Sequence, residues 1–254
     1  MSPEEMTPEA MLGRVLHRDG LMLVLDKPAG LPVHRGPKGG TSLEDWFDHL
    51  RYGLPRPPAL AHRLDKDTSG CLVLGRHRKA LAHLGLLFKH GKVGKTYWAV
   101  VEGGPDRDEG TIELPLGRLD ESRGWWMKPD PKGLPSVTTW KVLGRSGSMT
   151  SESKTSGSMT WLALTPVTGR THQLRVHGAA MGWPIVGDNI YGTAPRFGGP
   201  VMHLHAREIA VPLSKNKPPV RVVAPVPEHM QKRLIACGWS EERATTAVLA
   251  DAAS

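Results

Sequence analysis

The chain has 254 residues, enough for a domain with a sizeable core, and 33 Lys and Arg against 25 Asp and Glu give it a net charge of +8. A basic balance of this size suits an anionic partner, nucleic acid first and an acidic membrane surface second. Two cysteines make neither a disulfide framework nor a zinc cluster, no apolar run nears the roughly 20 residues of a membrane span, and the acidic start lacks the marks of a signal peptide. The expected setting is therefore a reduced cytoplasm.

Residues 1–20 are polar and read as a loose arm. Residues 21–25 form a strand that ends in a turn at Pro28 and Gly30. Thr41 and Glu44 have capping-box spacing and open a helix that runs through Leu50. The apolar runs 58–61 and 71–74 read as buried strands, the second closed by Gly75. Leu81, Leu84, Leu87 and Phe88 recur at helical spacing up to Gly91, and residues 95–101 make the next strand.

Residues 125–128, 137–143 and 160–165 are further strand candidates. The last two flank Ser146-Gly147-Ser148-Met149-Thr150 and its near copy Ser156-Gly157-Ser158-Met159-Thr160, a Ser/Gly/Thr duplication over 146–160 that reads as a mobile hairpin extension. Residues 171–181 read as a helix closed by Gly182. Strands follow around Leu204, over 208–211 and over 220–223, and a helix from Glu228 to about Cys237 leads into an Ala/Thr-rich tail. Strands outnumber helices and short turns join many of them, which predicts an α+β fold on a mixed, mostly antiparallel sheet.

Between the two buried strands lies His62-Arg63-Leu64-Asp65-Lys66-Asp67-Thr68-Ser69-Gly70. A turn accounts for its second half, since Asp, Thr, Ser and Gly all favour turns. It leaves His-Arg-x-Asp unexplained, so Asp65 stands as a candidate functional carboxylate. Asp65 and Asp67 also have the spacing of a glycosidase acid pair, but neighbours on one strand face cannot easily approach a sugar from opposite sides. Arg170, in Thr168-Gly169-Arg170-Thr171-His172-Gln173-Leu174-Arg175-Val176-His177, falls at the positive end of the predicted helix and calls for an anion, a phosphate or a buried carboxylate. Arg175, one turn on, faces RNA or water. His172 and His177, with His203 and His205, invite a metal reading that their spacing weakens. Tyr97 is a core tyrosine or an aromatic plate for a base.

Taken together, these motifs resemble the RluA-type RNA pseudouridine synthases. The matching strings are Lys27-Pro28-Ala29-Gly30; His62-Arg63-Leu64-Asp65-x-x-Thr68-Ser69-Gly70; Lys95-x-Tyr97-x-Ala99; the 168–177 string; Gly187-Asp188-x-x-Tyr191-Gly192; and Leu204-His205-Ala206. They keep the family's order from about residue 20 to 225, and Cys71 stands where an aliphatic residue is usual.

The resemblance implies a long, mixed, mainly antiparallel sheet flanked by helices, with the active cleft across its middle. The domain plan is then a catalytic domain over 21–227 and a C-terminal helix and tail over 228–254. It implies a monomeric enzyme that converts selected uridines of structured RNA, ribosomal or transfer, to pseudouridine without cofactor, metal or membrane. By position, Asp65 is the catalytic carboxylate, Tyr97 lies against the target base, and Arg170 pairs with Asp65. Arg63 enters the space left by the flipped nucleotide, and His62, Lys95 and Arg175 are expected at the RNA. Arg76, Arg78, Lys79, Lys89 and Lys92 are further phosphate-contact candidates. Two other activities fit the residues less well, a catalytically silent RNA-binding module and a hydrolase of the glycosidic bond.

Overall fold

In the computed structural model, which describes residues 6–36, 39–120, 125–147 and 157–241, a helix and a strand lie within the stretch whose polarity predicts a loose arm. Helix α1 (Pro8–Leu12) is capped by Thr7, whose hydroxyl accepts the Ala10 N–H, and strand β1 (Val15–Arg18) follows. Met6 and Met11 are buried in the same core as strand β2 (Met22–Lys27), so two methionines in a polar stretch dock it to the body. A 3-10 helix (Leu43–Leu50) comes next. Its start lies one residue beyond the predicted Thr41/Glu44 box: the Ser42 N–H donates to the Asp45 carboxylate, and Glu44 turns to His34 instead.

The chain continues through β3 (Ala59–Leu60), β4 (Ser69–Gly75), α2 (Arg78–Lys89), β5 (Gly94–Glu102), β6 (Glu109–Glu113), β7 (Leu116–Arg118) and β8 (Met127–Pro129). It closes with β9 (Val137–Arg145), β10 (Met159–Pro166), α3 (Gln173–Ala180), β11 (Leu204–Val211), β12 (Val220–Val223) and α4 (Glu228–Ala236). Strand β6 escapes a reading by pattern because it buries a single apolar side chain, Ile112. Residues 148–156, the heart of the Ser/Gly/Thr duplication, lie outside the described residues. At its base Ser146 and Met159 bond to each other and close the β9–β10 pair.

Among the described residues ten strands form one sheet in the order β1-β2-β4-β11-β5-β10-β9-β6, with β3 beside β4 and β12 beside β11, while β7 and β8 make a separate hairpin. Of these pairs only β4–β11 is parallel, so the sheet is mixed and mainly antiparallel, as the resemblance implies. That pairing needs Gly70: a Cβ there would lie 2.3 Å from the Ala206 carbonyl oxygen, and φ is +101°.

One apolar cluster gathers Leu23, Leu25, Leu72 and Leu74 from β2 and β4. Along β5 and β10 the pleat alternates: Ala99, Val101, Leu162 and Leu164 join one cluster, and Val100 and Trp161 join another. The second of these includes Met230, Leu234, Cys237 and Trp239, so α4 belongs to the body of the domain. Residues 242–254 lie outside the described part. No helix among the described residues is long and apolar enough to cross a membrane.

Candidate active site

A cleft of about 1060 Å³ opens beside Tyr97 of β5 and Leu204 of β11. The turn that leads into β4 forms one wall and puts Asp65 into it. Local bonds fix this turn: Leu64 is buried, the Thr68 N–H returns to the Asp65 carbonyl, and the Ser69 hydroxyl pairs with Nδ1 of buried His205. Lys27, fully buried, ties the same turn to the end of β2. Its ammonium donates to the carbonyls of Pro28, Leu31 and Lys66 at 2.7–2.9 Å. Burial brings its pKa down to about 7, with Asp67 and Asp65 acting to raise it. Three acceptors use all three N–H groups of an ammonium, so the geometry fits the charged form.

The cation against Asp65 is Arg175, not Arg170. Arg175 Nη1 donates to Asp65 Oδ2 at 3.3 Å, while Nε and Nη2 of the same guanidinium grip both oxygens of Asp188 at 2.8 and 2.9 Å. The side chain of Arg175 is 4% exposed, that of Asp188 1% and that of Asp65 29%. Arg175 is therefore neither in water nor at an RNA-facing surface. It joins a buried carboxylate to one that opens on the cleft. Burial acts to raise the Asp188 pKa, but bonds and charge from Arg175, with the Ile190 and Tyr191 N–H groups, hold it below the usual value. Burial acts to lower the Arg175 pKa, and its two carboxylates carry it up instead.

Arg170 departs from its expected place because α3 starts later than the sequence predicts. His172 is the N-cap, at φ +53°, and the helix begins at Gln173. This leaves Arg170 on the exposed turn before the helix, where its Nε donates to the Pro135 carbonyl. It lines the same cleft but makes no ion pair with Asp65. Arg175 sits within Gln173-Leu174-Arg175-Val176-His177, every residue of which is buried.

His172 stands between these groups. Its Nδ1 lies 2.7 Å from the Tyr191 hydroxyl, and its Nε2 3.8 Å from Asp65 Oδ2. The Tyr191 oxygen also accepts the Met127 N–H, and the tautomer of His172 that takes the Tyr191 proton at Nδ1 carries its own N–H on Nε2, facing Asp65. Burial lowers the His172 pKa. Asp188 and Tyr191 had been visible only as members of a motif. Gly187 places them: with φ +82° and carbonyls of Pro200 and Val201 within 2.7 Å of where a Cβ would be, no other residue fits that turn without strain.

Tyr97 lines the cleft and also packs against both flanking apolar clusters. Burial raises its pKa and nearby Asp65 raises it further, so the phenol keeps its proton at neutral pH. Arg63 lines the cleft and is exposed, and Lys95 lines it half-buried. His62 lines the cleft and also has a structural task. Its Nε2 accepts the Val73 N–H, its ring stacks on Phe88 at 4.4 Å, and burial lowers its pKa to about 3, so it offers phosphate no charge. Arg76 is engaged as well, donating to the carbonyls of Asp19 and Tyr52.

The histidines that invite a metal reading are dispersed. His177 bonds Ser136, Thr138 and the Leu114 carbonyl, His203 the Val201 carbonyl, and His205 Ser69. Among the described residues no group of three or more His, Cys, Asp or Glu could hold a metal ion. At the mouth of the cleft Arg63, Lys66, Arg118, Lys132 and Arg170 are exposed, against Asp130 as the lining acid besides Asp65. The arrangement is one carboxylate, a buried guanidinium behind it, a protonated phenol nearby and a cationic entrance. It suits an anionic polymer whose sugar or base must meet a carboxylate.

Residues 21–180 match the family model described as RNA pseudouridylate synthase. An uncharacterised RNA pseudouridine synthase of Zymomonas mobilis is 41% identical over 85% of this chain and 94% of its own. The ribosomal large subunit pseudouridine synthase C of Vibrio cholerae is 33% identical over 87% of this chain and 68% of its own. Among solved structures, human RNA pseudouridylate synthase domain containing 4 superposes with a TM-score of 0.72 at 26% identity, covering 91% of this chain and 95% of that one.

Proposed function

Starting from a chain that belongs to the RluA-type RNA pseudouridine synthase family, an isomerase acting on RNA, we propose that Asp65 is the carboxylate that acts on the flipped uridine. The observation that carries this assignment is the placement of Asp65 at the cleft, backed by buried Arg175 and close to Tyr97. The reaction breaks the N1–C1′ bond, turns the uracil within the site and joins C5 to C1′. The C5 proton is lost and N1 gains one, so no atom is added overall. A carboxylate serves this sequence by attack at C1′ or by taking the C2′ proton, and both routes require it ionised against the sugar. Arg175 holds a guanidinium N–H against it at 3.3 Å.

Tyr97 offers the base a flat face on the cleft wall and, keeping its proton, a hydroxyl that can donate to a ring oxygen or shield the site from water. Arg63, at the exposed end of the same turn, occupies the gap left in the RNA. Extrusion of a nucleotide costs a few kcal/mol, which phosphate contacts from the cationic mouth help to offset. Arg170 belongs with this second group, as an RNA contact. The substrate we favour is structured RNA of the large ribosomal subunit, because relatives at 33% and 34% identity carry that substrate in their names.

The test is incubation of RNA tritiated at uridine C5 with the protein and a chelator. Tritium release without free uracil is expected. Free uracil would mark a hydrolase, and RNA binding with neither product a silent module. Mapping pseudouridine in total RNA from cells with and without the protein identifies the position, and a loss confined to transfer RNA would overturn the ribosomal assignment.

A further inference from the structure

Trp125 is 56% exposed and lines the cleft. Leaving a large indole in water forgoes burial worth about 25 cal/mol per Å², so such a residue at a binding cleft needs a reason. Two rings hold it without covering it: Trp126 at a centroid distance of 5.6 Å and an angle of 72°, and His172 at 5.6 Å and 83°. The backbone beneath is pinned too, since the next residue but one, Met127, donates its N–H to Tyr191. Phe197 is more exposed, at 87%, but does not line the cleft.

We propose that Trp125 is a stacking plate for the base of a nucleotide flanking the target uridine, an inference that rests on the synthase reading given above. Three observations select a base. The plate is fixed before binding, so little rotamer entropy is lost when a flat ring settles on it. Arg118, paired with Met127 across the β7–β8 hairpin, and Lys132 line the same cleft, are exposed and suit the phosphates of the same strand. Stacking on an indole tolerates any base and is the usual way a single strand is held. The flanking position is assigned from the order of contacts: His172 meets Trp125 at a ring distance of 5.6 Å and has its Nε2 3.8 Å from Asp65 Oδ2, so we place the target ribose at Asp65 and the base of a neighbouring nucleotide on Trp125.

Two RNA probes test this, a heptauridylate and a heptamer in which only the central nucleotide keeps its base and the other six are abasic. Binding is measured for the full chain and for Trp125→Ala and Trp125→Phe, each checked for wild-type thermal unfolding. Trp125→Ala is expected to weaken heptauridylate binding about tenfold and Trp125→Phe to restore most of it. On the single-base heptamer the Ala variant should bind within about twofold of wild type. An equal penalty on both probes would move Trp125 to the target base and overturn the proposal, as would no penalty on either or failure of the wild type to prefer heptauridylate. Tritium release from the same preparation is scored separately: base-dependent stacking without release would refute the isomerase and leave the plate, and release without it would do the reverse.

Discussion

The interior of the cleft and its mouth use charge in opposite ways. Inside, the charges around Asp65 are paired: Arg175 divides its donors between Asp188 and Asp65, and Asp188 also accepts two backbone N–H groups. At the mouth, Arg63, Lys66, Arg118 and Lys132 stand exposed with no ion pair among the described residues, and Trp125 presents an open indole. A paired, buried network holds one carboxylate in place for chemistry. Spare cations and a bare aromatic surface hold an RNA. Interior changes should therefore cost turnover or folding, and changes at the mouth should cost affinity.

The largest effect is expected from Asp65→Asn, which keeps the shape and removes the charge: turnover should fall by at least about a thousandfold while RNA affinity stays within about twofold. Tritium release under single-turnover conditions reads the first and filter binding the second, and near-normal turnover would place the chemistry elsewhere. Next comes Arg175→Met, which leaves Asp188 as a buried carboxylate without its counter-charge, held only by two backbone N–H groups. It should destabilise the fold by roughly 3–5 kcal/mol in urea unfolding, and a loss below about 1 kcal/mol would mean that the network is not structural.

The pH response follows from three histidines held neutral. Burial lowers His205 and His62 to about 3 and His203 to about 4, from about 6.5 in the unfolded chain. Between those values the unfolded state binds more protons, so stability is whole above pH 6.5 and is lost as pH falls toward 4. The slope should reach about 1.4 kcal/mol per pH unit for each fully buried histidine, and a flat profile over that window would contradict their burial.

The smallest effects belong to the mouth. RNA affinity should fall steeply with salt, and removing Arg118 and Lys132 together should flatten the log–log slope by about 1 to 2. Arg170→Ala should weaken RNA binding only a few-fold and leave the Asp65 environment intact. A thousandfold loss of turnover there would return Arg170 to the catalytic carboxylate and erase the contrast drawn between interior and mouth.

The strands and helices with clear period were legible from the chain: β2, β4, β5, β9, β10 and α2 fall where the apolar spacing puts them. Those with little apolar content of their own were not. β6 buries one apolar side chain, and the segment around α1 is secured by Met6 and Met11, which only gain meaning once the core they enter is known. In the site, Asp65 was legible because a charged run between two buried strands is locally out of place. Its partner was not, because Arg170 and Arg175 sit five residues apart in one polar string and nothing local says which is buried.

The sequence by itself determined the family, the mixed sheet and a carboxylate at position 65, since these rest on local patterns and on motifs in a fixed order. Only the tertiary structure decided that Arg175 bridges Asp65 and Asp188, that His62 is a structural acceptor, and that Trp125 stands open at the cleft. The first depends on where α3 starts and on what Gly187 lets pass close by, the second on the Val73 N–H and Phe88 ring that β4 and α2 bring to His62, and the third on the Trp126 and His172 rings beside Trp125.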